Sequence, residues 1–164
     1  MHSAFDAAVT RHGPTVLRVC RAVLGPGADA DDAWSETFLS ALRAWPDLPE
    51  DTNVEAWLVR VAHRRSVDVV RASARAAAPG GDADDLALLD ARGGRMDDDD
   101  NTDPDASRIW DIVSGLPTRQ RICVAYRYLG GLTYAEVAEL AGGSEAAARR
   151  AAADGVAALR KKLD

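Results

Sequence analysis

Residues 132–164 read LTYAEVAELAGGSEAAARRAAADGVAALRKKLD. Two apolar-periodic segments, 133–141 and 145–163, flank the tight turn Gly142-Gly143-Ser144, with the small Ala138 four positions before the turn to let two helices cross closely. Val137, Leu140 and Ala148 fall where the two helices would touch, and Ser144 is placed to cap the second. The pattern is that of a helix-turn-helix, although a plain packing corner shares it, so charge has to decide. At 100° per residue the final helix puts Ala148, Ala152, Gly155, Leu159 and Leu163 on one stripe. Arg149 with Arg160, and Arg150 with Lys161, form two basic rows beside it. Such a face can grip phosphates, while Lys161 and Lys162 equally suit a helix C-terminus.

The rest of the chain fits this helical reading. Over 164 residues it is 47% hydrophobic but only 5% aromatic, and β-branched runs are scarce, a balance that predicts an all-α protein with no room for a large enzyme core. No segment is apolar for the length a membrane span needs, and the N-terminus lacks the order of a signal peptide, so a cytoplasmic protein is expected. Cys20 and Cys123 sit in apolar helical patterns and read as buried free thiols. His2, His12 and His63 are scattered without metal-ligand spacing, so neither a metal nor another cofactor is expected. No nucleophile with a base and no phosphate-cradling glycine loop supports an enzyme.

Charge divides the chain unevenly. Residues 76–105 hold ten Asp against Arg92 and Arg95, a local net charge of −8, whereas the whole chain carries −6 and the remainder therefore +2. This Gly- and Asp-rich stretch reads as a flexible acidic linker, with the apolar island 86–89 as its one candidate for weak docking. Two small helical domains, 1–75 and 106–164, are expected on either side of it. The run Asp97–Asp100 could shield the basic units in the free protein.

In the first unit four helices are predicted. A short one carries Phe5, Ala8 and Val9, and a second starts at Pro14 and ends at Gly25-Pro26-Gly27. A third spans 29–45, with Asp29, Asp31 and Asp32 in its first turn where the helix dipole favours negative charge. The fourth spans about 54–75. On it Arg60, Arg64, Arg71 and Arg75 lie within about 60° of one another, opposite an apolar sector. With Asp68 the one interleaved carboxylate, a row of four arginines points to a polyanion partner.

Taken together, DADDAWSETFLSALRAW (29–45), AWLVRVAHRRSVDVVR (56–71) and the segment 116–164 closely resemble the extracytoplasmic-function group of bacterial RNA polymerase sigma factors, within the sigma-70 family. The resemblance implies a region 2-like domain that binds core RNA polymerase and the −10 promoter element. It also implies a region 4-like helix-turn-helix domain for the −35 element. Asp31, Asp32, Glu36, Thr37 and Leu39 resemble the polymerase-holding positions, with Phe38 and Trp57 assigned to packing. Asn53, Arg60, His63, Arg64, Arg71 and Arg75 would serve the −10 region, where a flipped base and single strand need a pocket and cations. Ser144, Glu145, Arg149 and Arg150 would serve the −35 region.

This chain also departs from the family pattern. His63-Arg64 stands where the family usually has Arg-Asn, and Ala147, Ala151, Asp154 and Val156 leave the recognition helix few base-reading groups. The expected function is therefore that of a sigma factor directing promoter-specific initiation, with core RNA polymerase and promoter DNA as partners and room for an anti-sigma protein. Two alternatives stand beside it: a sigma-like decoy that binds polymerase or an anti-sigma protein without productive promoter recognition, and a helix-turn-helix regulator acting alone.

Overall fold

The computed structural model describes residues 2–77, 80, 84–92 and 111–164, and seven α-helices lie among them. Helix α1 runs His2–Leu24, α2 Ala28–Ala44 and α3 Val54–Ala77, with a single 3-10 turn, Trp45–Asp47, after α2. Helix α4, Asp85–Arg92, follows. Residues 111–114 are helical and lead through Leu116-Pro117 into α5, Thr118–Val124. Helices α6, Tyr134–Ala141, and α7, Glu145–Leu163, complete the chain. The all-α expectation holds.

Where two helices were expected before Gly25, there is one, and Pro14 lies inside it. Proline lacks the N–H that would bond the carbonyl four residues back, so the helix needs help at that point. Trp34 of α2 packs against the helix at this point: its indole N–H donates to the Gly13 carbonyl at 2.9 Å, and its ring sits where a Cβ on Gly13 would be 3.5 Å away. Tertiary packing here outweighs the local preference for a break.

Helix α2 buries Ala30, Ala33, Thr37, Phe38 and Ala41, spacings that keep one stripe inward and leave Asp31, Asp32 and Glu36 exposed. Helix α3 starts at an Asn53 cap, whose Oδ1 accepts from the Ala56 N–H at 3.2 Å. Its inward face carries Leu58, Val59, Ala62, Val67 and Val70. Trp57, half-buried, meets Trp45 at a ring separation of 6.4 Å, in keeping with its packing role.

The apolar island of the acidic stretch docks. Asp84 caps α4 by accepting from the Ala87 N–H at 2.8 Å, Leu89 is 2% exposed, and the helix packs on α3 and α5. A solvated tether is therefore not what residues 84–92 form; full burial of one leucine, worth about 2 kcal/mol, offsets the self-repulsion of the neighbouring Asp side chains. Residues 93–110, including Asp97–Asp100, Ile109 and Trp110, lie outside the described residues.

The two halves expected as separate units meet in one continuous buried cluster, from Val16, Val19 and Cys20 through Leu58 and Val59 to Ile122, Cys123, Tyr126, Leu132 and Val137. Both cysteines are buried and free. The junction depends on a local widening of the helix after α5. Residues 125–129 wind with a longer repeat, closed by the Gly130 N–H bonding the Ala125 carbonyl at 3.0 Å, which turns Tyr126 fully inward. Gly130 then abuts α3 so closely that a Cβ would stand 3.0 Å from a Val59 methyl and 2.9 Å from the Tyr126 carbonyl oxygen.

Leu89→Ala should lower the stability of the full chain by about 2 kcal/mol or more in urea denaturation. An unchanged midpoint would show that α4 does not contribute to the core.

Candidate nucleic-acid interface

The arginine row on α3 faces partly outward, but not freely. Arg60 reaches α6, its Nη2 donating to Glu136 at 3.1 Å and its Nη1 to Glu139 at 3.0 Å. Arg71 is bound by Asp85 of α4, its Nε donating at 3.0 Å. Arg64 and Arg75 are exposed, the Arg75 Nε donating to the Arg71 carbonyl at 3.4 Å. Carboxylates of the second half and of the connecting stretch thus occupy two of the four guanidiniums that would meet a polyanion.

His63 does not face solvent beside them. It is 6% exposed and its Nδ1 lies 2.5 Å from the Tyr126 hydroxyl, at the junction of the two halves. Burial pushes its pKa below the ordinary 6.5, with Asp85 opposing and Arg64 adding to the shift. In this arrangement His63 is covered and cannot touch a single strand. Asn53, by contrast, is exposed at the start of α3, although its side-chain oxygen is engaged as the cap.

On α2 the residues expected to hold polymerase separate into two groups. Asp31, Asp32, Glu36 and Leu39 are exposed, Leu39 by 47% with Leu42 beside it at 41%, which makes an acidic surface followed along the helix by an apolar patch. Thr37 is fully buried and donates its hydroxyl to the Ala33 carbonyl at 2.6 Å, so it fastens the helix internally and presents nothing to a partner. Phe38 is in the core, edge-on to Phe5.

The helix-turn-helix has the geometry its spacing predicts. Thr133 and Glu136 form a reciprocal capping box at the start of α6, and Ser144 caps α7 by accepting from the Ala147 N–H at 3.1 Å. Positive φ at Gly142 and Gly143 makes the turn, and the Arg119 guanidinium donates to the Gly142 carbonyl. Ala148, Ala151, Ala152 and Gly155 are the buried stripe of α7; a Cβ on Gly155 would come within 2.6 Å of Val124. Leu163 departs from that stripe and is 53% exposed. Arg149, Arg150, Ser144 and Glu145 are all exposed. Glu145 pairs with Arg149 at 3.2 Å, whereas Arg150 and Asp154, one turn apart, form no ion pair.

Glu136, Glu139, Asp85 and Tyr126 were not singled out from the sequence as members of this region. A signal existed for two of them: Glu136 and Glu139 are three apart on the outer face of an otherwise apolar helix, a spacing suited to gripping one guanidinium. Burial raises the Glu136 pKa, but hydrogen bonds from Thr133 and the Arg60 guanidinium outweigh it and hold the carboxyl below its usual range. No group of His, Cys, Asp and Glu among the described residues could hold a metal, and no described helix is long and apolar enough to cross a membrane.

Comparison with known proteins places this geometry in context. The sigma-70 region 2 family model matches residues 8–76 and the sigma-70 region 4 model matches residues 106–159. An ECF RNA polymerase sigma factor SigK of Mycolicibacterium vanbaalenii is 35% identical over 108 residues, covering 66% of this chain and 55% of the relative. Against that relative the match spans about half its length. A SigK of Mycobacterium ulcerans is 29% identical over 161 residues, covering 98% of this chain and 83% of the relative. The sigma factor RpoE of Bartonella quintana, solved in complex with the anti-sigma factor NepR, shares the fold with a TM-score of 0.71 at 14% identity, over 98% of this chain and 96% of that one.

The His63 shift has a sign that can be checked. The unfolded chain takes up a proton on this side chain near pH 6.5 and the folded chain only at lower pH, so the neutral, buried state is favoured above 6.5 and stability falls as pH drops below it. That loss continues down to the folded value, at up to about 1.4 kcal/mol per pH unit. Urea denaturation at roughly pH 7.5 and roughly pH 5.5 should show wild type losing more stability than His63→Gln; equal losses would contradict the burial.

Proposed function

The chain belongs to the sigma-70 family of RNA polymerase sigma factors, in the extracytoplasmic-function group, and from that premise we propose that it binds core RNA polymerase and directs initiation at a small set of promoters. The observation that carries this reading is the pairing, in one chain, of an acidic exposed α2 face with two cationic helices, α3 and α7, in the two regions that the family models match. Asp31, Asp32 and Glu36 precede the exposed Leu39 and Leu42 along α2, a surface that suits basic and apolar groups on a polymerase helix. Thr37 supports that face from within.

On α3, Arg64 and Arg75 are the cations available to the −10 region, and Arg60 and Arg71 join them once their carboxylates are displaced. Asn53 contributes at the start of the same helix and His63 becomes accessible only if the halves part. Ser144, Glu145, Arg149 and Arg150 form the leading end of α7 for the −35 region. We assign the domain bounds 1–75 and 106–164 to these two tasks. The phosphodiester chemistry is the polymerase's, and the chain itself is not an enzyme. It works where polymerase and chromosome are, in the cytoplasm, with an anti-sigma protein as a further partner.

In the arrangement described, ion pairs tie α6 to Arg60 of α3, and the two DNA-facing helices belong to one packed body. Binding both ends of a promoter requires Arg60 to exchange the Glu136 and Glu139 carboxylates for phosphate. Ion pairs of this exposure contribute up to about 1 kcal/mol each, so the exchange costs little once polymerase separates the halves.

Run-off transcription with core polymerase and this chain should give promoter-dependent transcripts sharing an upstream hexamer; no transcript would sink the proposal. The double variant Glu136→Gln, Glu139→Gln keeps the capping oxygen and removes both charges. It should raise the free chain's affinity for single-stranded DNA by roughly 3- to 10-fold at low salt, measured by fluorescence anisotropy.

A further inference from the structure

We propose that Tyr134 is a positioning residue for promoter reading, its ring holding the Arg149 guanidinium at the leading end of α7. The inference rests on the reading of α7 as the −35 helix and goes beyond it by assigning the specificity to one arginine and one ring.

The Arg149 guanidinium carbon lies 4.6 Å from the centroid of the Tyr134 ring, and the Arg127 guanidinium carbon lies 4.8 Å from the same centroid. Arg127 is itself fixed, because its Nη1 donates to the Leu132 carbonyl at 2.9 Å. The ring is set by its place as the first residue of α6, directly after the Thr133 cap with its reciprocal bonds to Glu136. A rigid backbone feature therefore places the ring, one anchored arginine backs it, and the second arginine is stacked against it from the neighbouring helix. Glu145 supplies the counter-charge two such cations need, accepting from Arg149 at 3.2 Å. Arg150, the next residue, has no ring contact and no ion pair among the described residues.

Two arginines adjacent in sequence are thus unlike in chemistry. Arg149 is exposed yet oriented, and once Glu145 releases its Nη2 the planar fork can pair with the O6 and N7 of a guanine without first losing its freedom. Arg150 is exposed and unsupported, the state of a phosphate contact. The surrounding positions of α7 include the alanines Ala146, Ala147 and Ala153, while Glu145 is engaged by Arg149 and Ser144 by the cap, so few other groups on this surface are placed to discriminate bases. Base preference at the −35 element therefore concentrates on the pair that Arg149 reads.

The test is run-off transcription by core polymerase with the full chain on promoters randomised across the upstream hexamer, sequencing the transcribed templates. Arg149→Ala should erase the preference at one or two base pairs. Tyr134→Ala should weaken it at those same pairs by about threefold, Tyr134→Phe should retain it, and Arg150→Ala should lower transcription evenly across sequences. Thermal unfolding of each variant separates loss of fold from loss of reading, and Tyr134→Leu keeps apolar bulk without the ring's charge distribution. If Tyr134→Ala and Tyr134→Leu transcribe less but with the wild-type base profile, the ring is only structural and the proposal is overturned. If Arg149→Ala keeps the wild-type profile, α7 does not read through Arg149 and the proposal is overturned from the other side. A wild-type chain that yields no promoter-dependent transcript fails earlier, at the function itself, and takes the proposal with it.

Discussion

Tyr126 is the piece on which the two halves of this molecule turn. It comes from the second half, is wholly buried at the junction with the first, and its hydroxyl meets His63 there. A buried hydroxyl left alone would cost on the order of 1–3 kcal/mol, so the two side chains hold each other in register. The widened winding of residues 125–129 aims the ring inward, and Gly130 lets α3 approach. Each half packs its own helices, and the junction extends both sets of buried side chains into one continuous core.

Electrostatics follow the same seam. The cations that a polyanion would seek on α3 are met within the chain by Asp85, Glu136 and Glu139, which stand where phosphates would. These pairs are partly exposed, so they bias the arrangement without locking it. The shared apolar core, with Tyr126 and Leu89 in it, holds the arrangement together, and the charges decide what it hides.

Helix content, the turn at Gly142-Gly143, the Ser144 cap and the inward placing of Phe38 were all legible in the sequence, because each depends on residues near one another along the chain. So was the exposure of Asp31, Asp32 and Glu36. What could not be read locally depends on partners far away. Pro14 was expected to begin a helix and is carried through one because Trp34 supports Gly13. His63 shares its helix with the arginines, yet it is buried at the junction where Tyr126 arrives from the far half. Thr37 directly follows the exposed Glu36, yet its angle around α2 turns it inward beside Phe38. Leu89 lies in a stretch whose composition speaks for solvation, and a single buried side chain reverses that for eight residues.

Glu136 divides its labour between its two oxygens: Oε1 closes the start of α6 and Oε2 takes Arg60. Parting the halves strips one oxygen of its cation and leaves the other at its post. The module that carries the turn can therefore detach without fraying at its own beginning, so mobility between the halves need not come at the expense of order inside either one.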